Sequence, residues 1–78
     1  MATQEWNAAA TSAARAVAMS PYDASVREFA ATISMQRKDW TTAEKHIRAL
    51  ISIEPDREIH KQRLAALLKM VESAANPR

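Results

Sequence analysis

Two histidines, His46 and His60, are the residues in this 78-residue, cysteine-free chain best suited to metal or proton chemistry. A zinc site needs three or four convergent ligands, and here only carboxylates could join the two imidazoles. Neither histidine has another one helical turn away, so both are expected at the surface and no metal is expected. Glu54, Asp56 and Glu58 are close in sequence but flank Pro55. Acidic groups there are accounted for by a helix start, whose free N–H groups favour negative charge. Acid–base catalysis needs a carboxylate in a perturbed environment or a histidine oriented by a third group, and no spacing here sets up either. The six serines have no glycine-flanked turn to expose a nucleophile, because the chain has no glycine at all. The same absence removes glycine-rich phosphate loops and the dinucleotide fingerprint. No catalytic residue, no cofactor and no enzymatic activity are expected.

Binding chemistry remains. Trp6 and Trp40 could stack on a ligand, but at helix starts they are expected as wedges between helices, which is how aromatics contribute most to a small core. Arg57, His60, Lys61, Arg63 and Lys69 make the last quarter of the chain its most basic segment, with Arg37, Lys38, Lys45 and Arg48 before it. Nucleic-acid recognition would gather such groups on one face with an interleaved aromatic. No aromatic follows Trp40, and Glu44, Glu54, Glu58 and Glu72 dilute the field. Residues 1–36 carry a net charge of −1 (two basic, three acidic) and residues 37–78 a net of +3 (nine basic, six acidic). Those signs alternate as on solvated helix faces. No apolar run approaches the roughly 20 residues of a membrane span. No basic segment precedes the first apolar stretch, so no secretory signal is read, and a soluble, cytoplasmic chain without membrane contact is expected.

The elements that must position these residues are set by an internal frame of 34 residues. Trp6 and Trp40 are 34 apart, as are Pro21 and Pro55, and the same offset pairs Ala9 with Ala43, Val17 with Ile51 and Ala31 with Ala65. The alanine-rich, glycine-free composition favours helix throughout. An all-α domain of four antiparallel helices is predicted, at about 4–19, 23–36, 40–53 and 57–75. Thr3 can cap the first and Pro21 ends it, because the residue before proline is pushed out of the helical region. Ser25 and Glu28 have capping-box spacing for the second, with Asp23 as an alternative cap. In the third, Trp40, Ala43, Ile47, Leu50 and Ile51 recur at steps of three and four, which is one helical face. Pro55 stops it and Asp56 can cap the fourth, whose stripe is Leu64, Leu67, Leu68 and Val71. Asn76, Pro77 and Arg78 read as a frayed end.

With Ala43-x-x-x-Ile47 and Pro55, Ala9-x-x-x-Ala13 and Pro21, and a tryptophan three residues before each alanine, the chain resembles the tetratricopeptide repeat family from about Thr3 to Met70. The family's first-helix pattern falls on Arg27, Ala30, Ala31 and Ser34, then on Lys61, Leu64, Ala65 and Leu68, so these repeats are degenerate. Ala31 and Ala65 stand where the family has a close-packing glycine. The resemblance implies a fragment of a right-handed α-solenoid, one domain over 1–78, working as a non-catalytic interaction or scaffolding module. It implies that a peptide or partner helix is held on the concave face of the second and fourth helices. By position that face is Ser25, Glu28, Thr32 and Met35 with Ile59, Gln62, Ala66 and Lys69. The lysine and asparagine clamp by which one subgroup holds a C-terminal carboxylate is absent. Because solenoids need about three repeats, the chain is expected to be either excised from a longer protein or completed by self-association. The alternative reading is a small basic bundle binding nucleic acid through its fourth helix.

Overall fold

A computed structural model describes residues 2–75 and the side chains of residues 5–73. It contains four helices, α1 (Ala2–Met19), α2 (Ala24–Gln36), α3 (Trp40–Ile53) and α4 (Glu58–Ala75), and no strand among the described residues. The boundaries lie within two residues of those predicted. The start of α1 at Ala2 puts Thr3 inside the helix rather than at its cap. The predicted frayed end, 76–78, lies outside the described residues.

The caps are local and identifiable. Asp23, not Ser25, caps α2: its carboxylate accepts a hydrogen bond from the Val26 N–H at 3.3 Å, satisfying one of the free donors of the first turn. Ser25 is already within the helix. Asp39 does the same for α3, accepting from the Thr42 N–H at 3.3 Å. Asp56 is not the cap of α4, which begins at Glu58, two residues later. The end of α2 is a Schellman motif, with the Lys38 N–H donating to the Met35 carbonyl at 3.0 Å and the Asp39 N–H to the Ser34 carbonyl at 2.9 Å. The motif needs one residue in the left-handed region, and Lys38 occupies it at φ 59°. In most helices a glycine stands there, because a Cβ is disfavoured in that conformation by about 1–2 kcal/mol; this chain has none to offer.

The two proline turns repeat each other at the 34-residue offset. The Ser20 N–H donates to the Ala16 carbonyl and the Asp23 N–H to the Ser20 carbonyl, at 2.8 and 3.2 Å. The Glu54 N–H donates to the Leu50 carbonyl and the Arg57 N–H to the Glu54 carbonyl, at 2.8 and 3.1 Å.

Each helix packs its backbone only against its neighbours in sequence, α1 on α2, α2 on α3 and α3 on α4. The pairs run antiparallel: Arg37 past the end of α2 bonds Asn7 near the start of α1, and Trp40 at the start of α3 lies beside Lys69 and Met70 late in α4. The core sits on α3. Ala31 of α2, Ala43 and Ile47 of α3 and Leu67 of α4 form one buried cluster, and Met35, Trp40, Leu64 and Val71 pack around it. Small residues at Ala31 and Ala43 are what allow α2 and α3 to approach closely; larger ones there would overfill the crossing. Trp40 is therefore a half-buried wedge against the cluster, whereas Trp6 is half-buried and outside it. No described helix is long and apolar enough to cross a membrane.

Candidate functional site

The expected groove rows fall on two helix faces with the same step of three, four and three residues, Ser25–Glu28–Thr32–Met35 on α2 and Ile59–Gln62–Ala66–Lys69 on α4. Ser25 and Thr32 on α2, and all four residues on α4, are exposed. Glu28 is engaged: its carboxylate accepts a 2.5 Å hydrogen bond from Arg63, which reaches across from α4. Met35 turns to the core cluster, so it floors the α2 row rather than projecting from it. Of the eight, Lys69 also lines the depression beside Trp40.

The histidines are not surface residues, and here the sequence expectation is corrected. His46 and His60 are both buried, His60 completely. On α3, His46 sits three residues after Ala43 and four before Leu50, and so shares their inward face. The Arg27 guanidinium bridges to it, Nε donating to the Pro21 carbonyl at 2.7 Å and Nη1 to His46 Nδ1 at 3.0 Å. A guanidinium only donates, so Nδ1 accepts and the imidazole proton is assigned to Nε2. Burial, then the charges of Arg27 and Lys45, push the His46 pKa below its ordinary 6.5, with Asp39 pulling weakly the other way. His60 lies on the stripe with Leu64, Leu67 and Val71. Its Nε2 is 2.8 Å from Glu54 Oε1, joining the end of α3 to the start of α4, and its Nδ1 is buried without a hydrogen-bond partner.

A hollow of about 200 Å³ between α1, α2 and α3 brings Ser34, Thr42, His46 and Asp39 together over an alanine floor. Three of their polar groups, the Ser34 hydroxyl, the Asp39 carboxylate and His46 Nδ1, are committed elsewhere. The Ser34 hydroxyl donates to the Ala30 carbonyl at 2.9 Å, Asp39 caps α3, and His46 Nδ1 is taken by Arg27. The nucleophile–base–orienter relay of acyl transfer is not assembled there. Among the described residues no three of His, Asp and Glu converge as metal ligands.

Sequence reasoning did not find the end of the array where both tryptophans lie. A shallow depression of about 580 Å³, open along one side, is lined by Lys38, Trp40, Lys69, Met70 and Ser73. A second, of about 250 Å³, is lined by Trp6, Asn7, Gln36, Arg37 and Lys38. Lys38, at the left-handed position of the α2–α3 turn, belongs to both. Arg37 is tied down, its Nε donating to Asn7 Oδ1 at 3.1 Å and its Nη1 4.0 Å from Asp39 Oδ2. The signal available in the sequence was Arg37-Lys38 just ahead of Trp40; Lys69 and Met70 join them only because α4 runs antiparallel to α3.

No protein-family model, curated protein or solved structure matches this chain.

Proposed function

We propose that the chain is a degenerate tetratricopeptide-like helical array that binds a peptide or helix of a protein partner on the exposed rows of α2 and α4. The observation that carries this reading is the recurrence of the same turn hydrogen bonds at Pro21 and Pro55, 34 residues apart, as expected of α2 and α4 in equivalent places of a repeat. Two further features bear on it. Ala31 is fully buried where α2 crosses α3, as a close-packing position requires, while its counterpart Ala65 on α4 is exposed. The Arg63–Glu28 bond links α4 to α2. In an array of this kind each helical pair contacts only its neighbours, and the repeated face left over is an extended binding surface.

Peptides selected for binding to the domain provide the test. Backbone amide shifts on titration should concentrate at Thr32, Gln62 and Ala66. Binding should be lost in Thr32→Arg and Ala66→Arg variants that keep the helical circular dichroism of the parent. Affinity should change little between low and physiological salt. Binding that instead depends on Lys61 and Arg63 and falls steeply with salt would overturn the reading in favour of a nucleic-acid-type electrostatic surface.

A further inference from the structure

The depression at Trp40 shares only Lys69 with the α2 and α4 rows. It is lined by Trp40 and Met70 together with Lys38 on the α2–α3 turn and Lys69 on α4. Trp40 gives one side to the core cluster, and Met70 on α4 is nearly half exposed. Among the described residues neither lysine has an ion-pair partner, whereas Arg37, one residue before Lys38, is bound to Asn7 and close to Asp39. Two ammonium groups with no ion-pair partner among the described residues, on a mainly apolar lining, complement a ligand that carries an apolar group beside negative charges.

Three observations narrow the ligand class. The depression is open rather than enclosed, so it would leave much of a small molecule in water, while small-molecule sites bury most of their ligand. It suits a single large side chain presented from a longer chain. Its lining is mainly apolar, with Met70 adaptable in shape, which favours a hydrophobic anchor over a stacked nucleobase on a phosphate track. Two lysines with Asp39 in the adjoining turn are also too few to neutralise a run of phosphates.

Lys38 joins the two tryptophan depressions. A lysine stands in the left-handed position at φ 59°, where glycine would be favoured. Its side chain lines both tryptophan depressions.

We propose that Lys38, Trp40, Lys69 and Met70 form a docking site for an acidic peptide segment, in which one large apolar side chain rests on Trp40 and Met70 between carboxylates held by Lys38 and Lys69. The site lies at the end of the array and shares only Lys69 with the α2 and α4 rows, so it stands without the groove reading.

The test uses Trp6→Phe protein, leaving Trp40 as the only indole. The probe is a synthetic peptide with one phenylalanine flanked on both sides by glutamates. The controls are the same peptide with alanine for phenylalanine and a single-stranded oligonucleotide. The glutamate–phenylalanine peptide should give a saturable change in Trp40 fluorescence, and the alanine peptide and the oligonucleotide should bind more weakly. Lys38→Gly is the decisive variant, because it relieves the backbone while removing a rim charge. Its melting temperature should equal or exceed the parent's, and its affinity for the peptide should fall about two- to fivefold, as the loss of one exposed charge pair implies. Met70→Glu should abolish binding while Thr32→Arg, on the α2 row, leaves it intact. No saturable change, unaltered affinity in Lys38→Gly, or tighter binding of the oligonucleotide than of the peptide would each overturn the proposal.

Discussion

The turns at Pro21 and Pro55 have matching backbone hydrogen bonds and are held by different side chains. At the first, Asp23 caps α2, and the Arg27 fork reaches back to the Pro21 carbonyl and forward to His46. At the second, Arg57 stands in the place of Asp23 and Lys61 in the place of Arg27; the closure comes from buried His60, in the place of Val26, bonding Glu54. The faces behind the turns differ as well. Ala31 and Ser34 of α2 are buried, with α1 on one side and α3 on the other. Their equivalents on α4, Ala65 and Leu68, are exposed, because among the described helices only α3 packs its backbone against α4. In a linear array the number of flanking helices decides burial at an equivalent position, more than the residue found there.

The largest effects should separate neighbours on α4. Leu67→Ala empties the centre of the cluster and should cost about 2–5 kcal/mol in denaturant unfolding. Leu68→Ala, one residue further round the helix at 39% exposure, should change stability by about 0.5 kcal/mol or less. Next comes the equivalent pair of alanines. Ala31→Met should overpack the α2–α3 crossing at a cost of about 1–3 kcal/mol. Ala65→Met should be close to neutral, within about 0.5 kcal/mol; a cost equal to that at Ala31 would mean that the outer face of α4 is covered in solution.

The caps give a smaller contrast. Asp23→Ala should lower stability by about 1 kcal/mol, and Arg57→Asp, which installs a carboxylate ahead of α4, should raise it by up to about 1 kcal/mol. Thermal melts of the two variants should move in opposite directions.

The smallest effect is one of pH. The folded-state pKa of His46 lies below its ordinary 6.5, so the folded chain holds its proton less tightly than the unfolded chain. Its contribution to stability is then fully present above pH 6.5 and is lost as pH falls through the lowered folded value. In His46→Asn that part of the acid sensitivity should disappear, as read by comparing the pH dependence of unfolding with the parent's.

The helices are legible in the sequence because their punctuation is local. Pro21 and Pro55 break the chain, Asp23 and Asp39 cap α2 and α3, and alanine fills much of the rest. The 34-residue offset is visible in five residue pairs, and the backbone of both turns repeats it. The cap of α4 is misplaced by sequence because Asp56 and the actual helix start are two residues apart, a distance that a carboxylate beside a proline does not resolve. Histidine burial escapes a sequence reading although its spacing is present. His46 lies between Ala43 and Leu50, and His60, Leu64, Leu67 and Val71 succeed one another at steps of four, three and four. An imidazole on such a stripe is buried when a partner absorbs its polar edge, and Arg27 and Glu54 come within reach only once the chain folds. The depression at Trp40 is beyond sequence for the same reason, since it joins a turn to a helix end about 30 residues away.

The alanine content of α1 has a consequence for how the array comes apart. Among its described side chains only Ala13 is buried, and α2 is the one described helix its backbone packs against. α3, by contrast, carries Ala43, Ile47 and Leu50, all fully buried, between two neighbours. Regions with few buried apolar contacts open at lower free energy than the global transition. Native-state hydrogen exchange should therefore show α1 amides exchanging first, as one cooperative unit, and α3 amides only on complete unfolding. When α1 swings away, a protease should find its cleavage point in the Ser20–Asp23 turn while the three remaining helices stay folded.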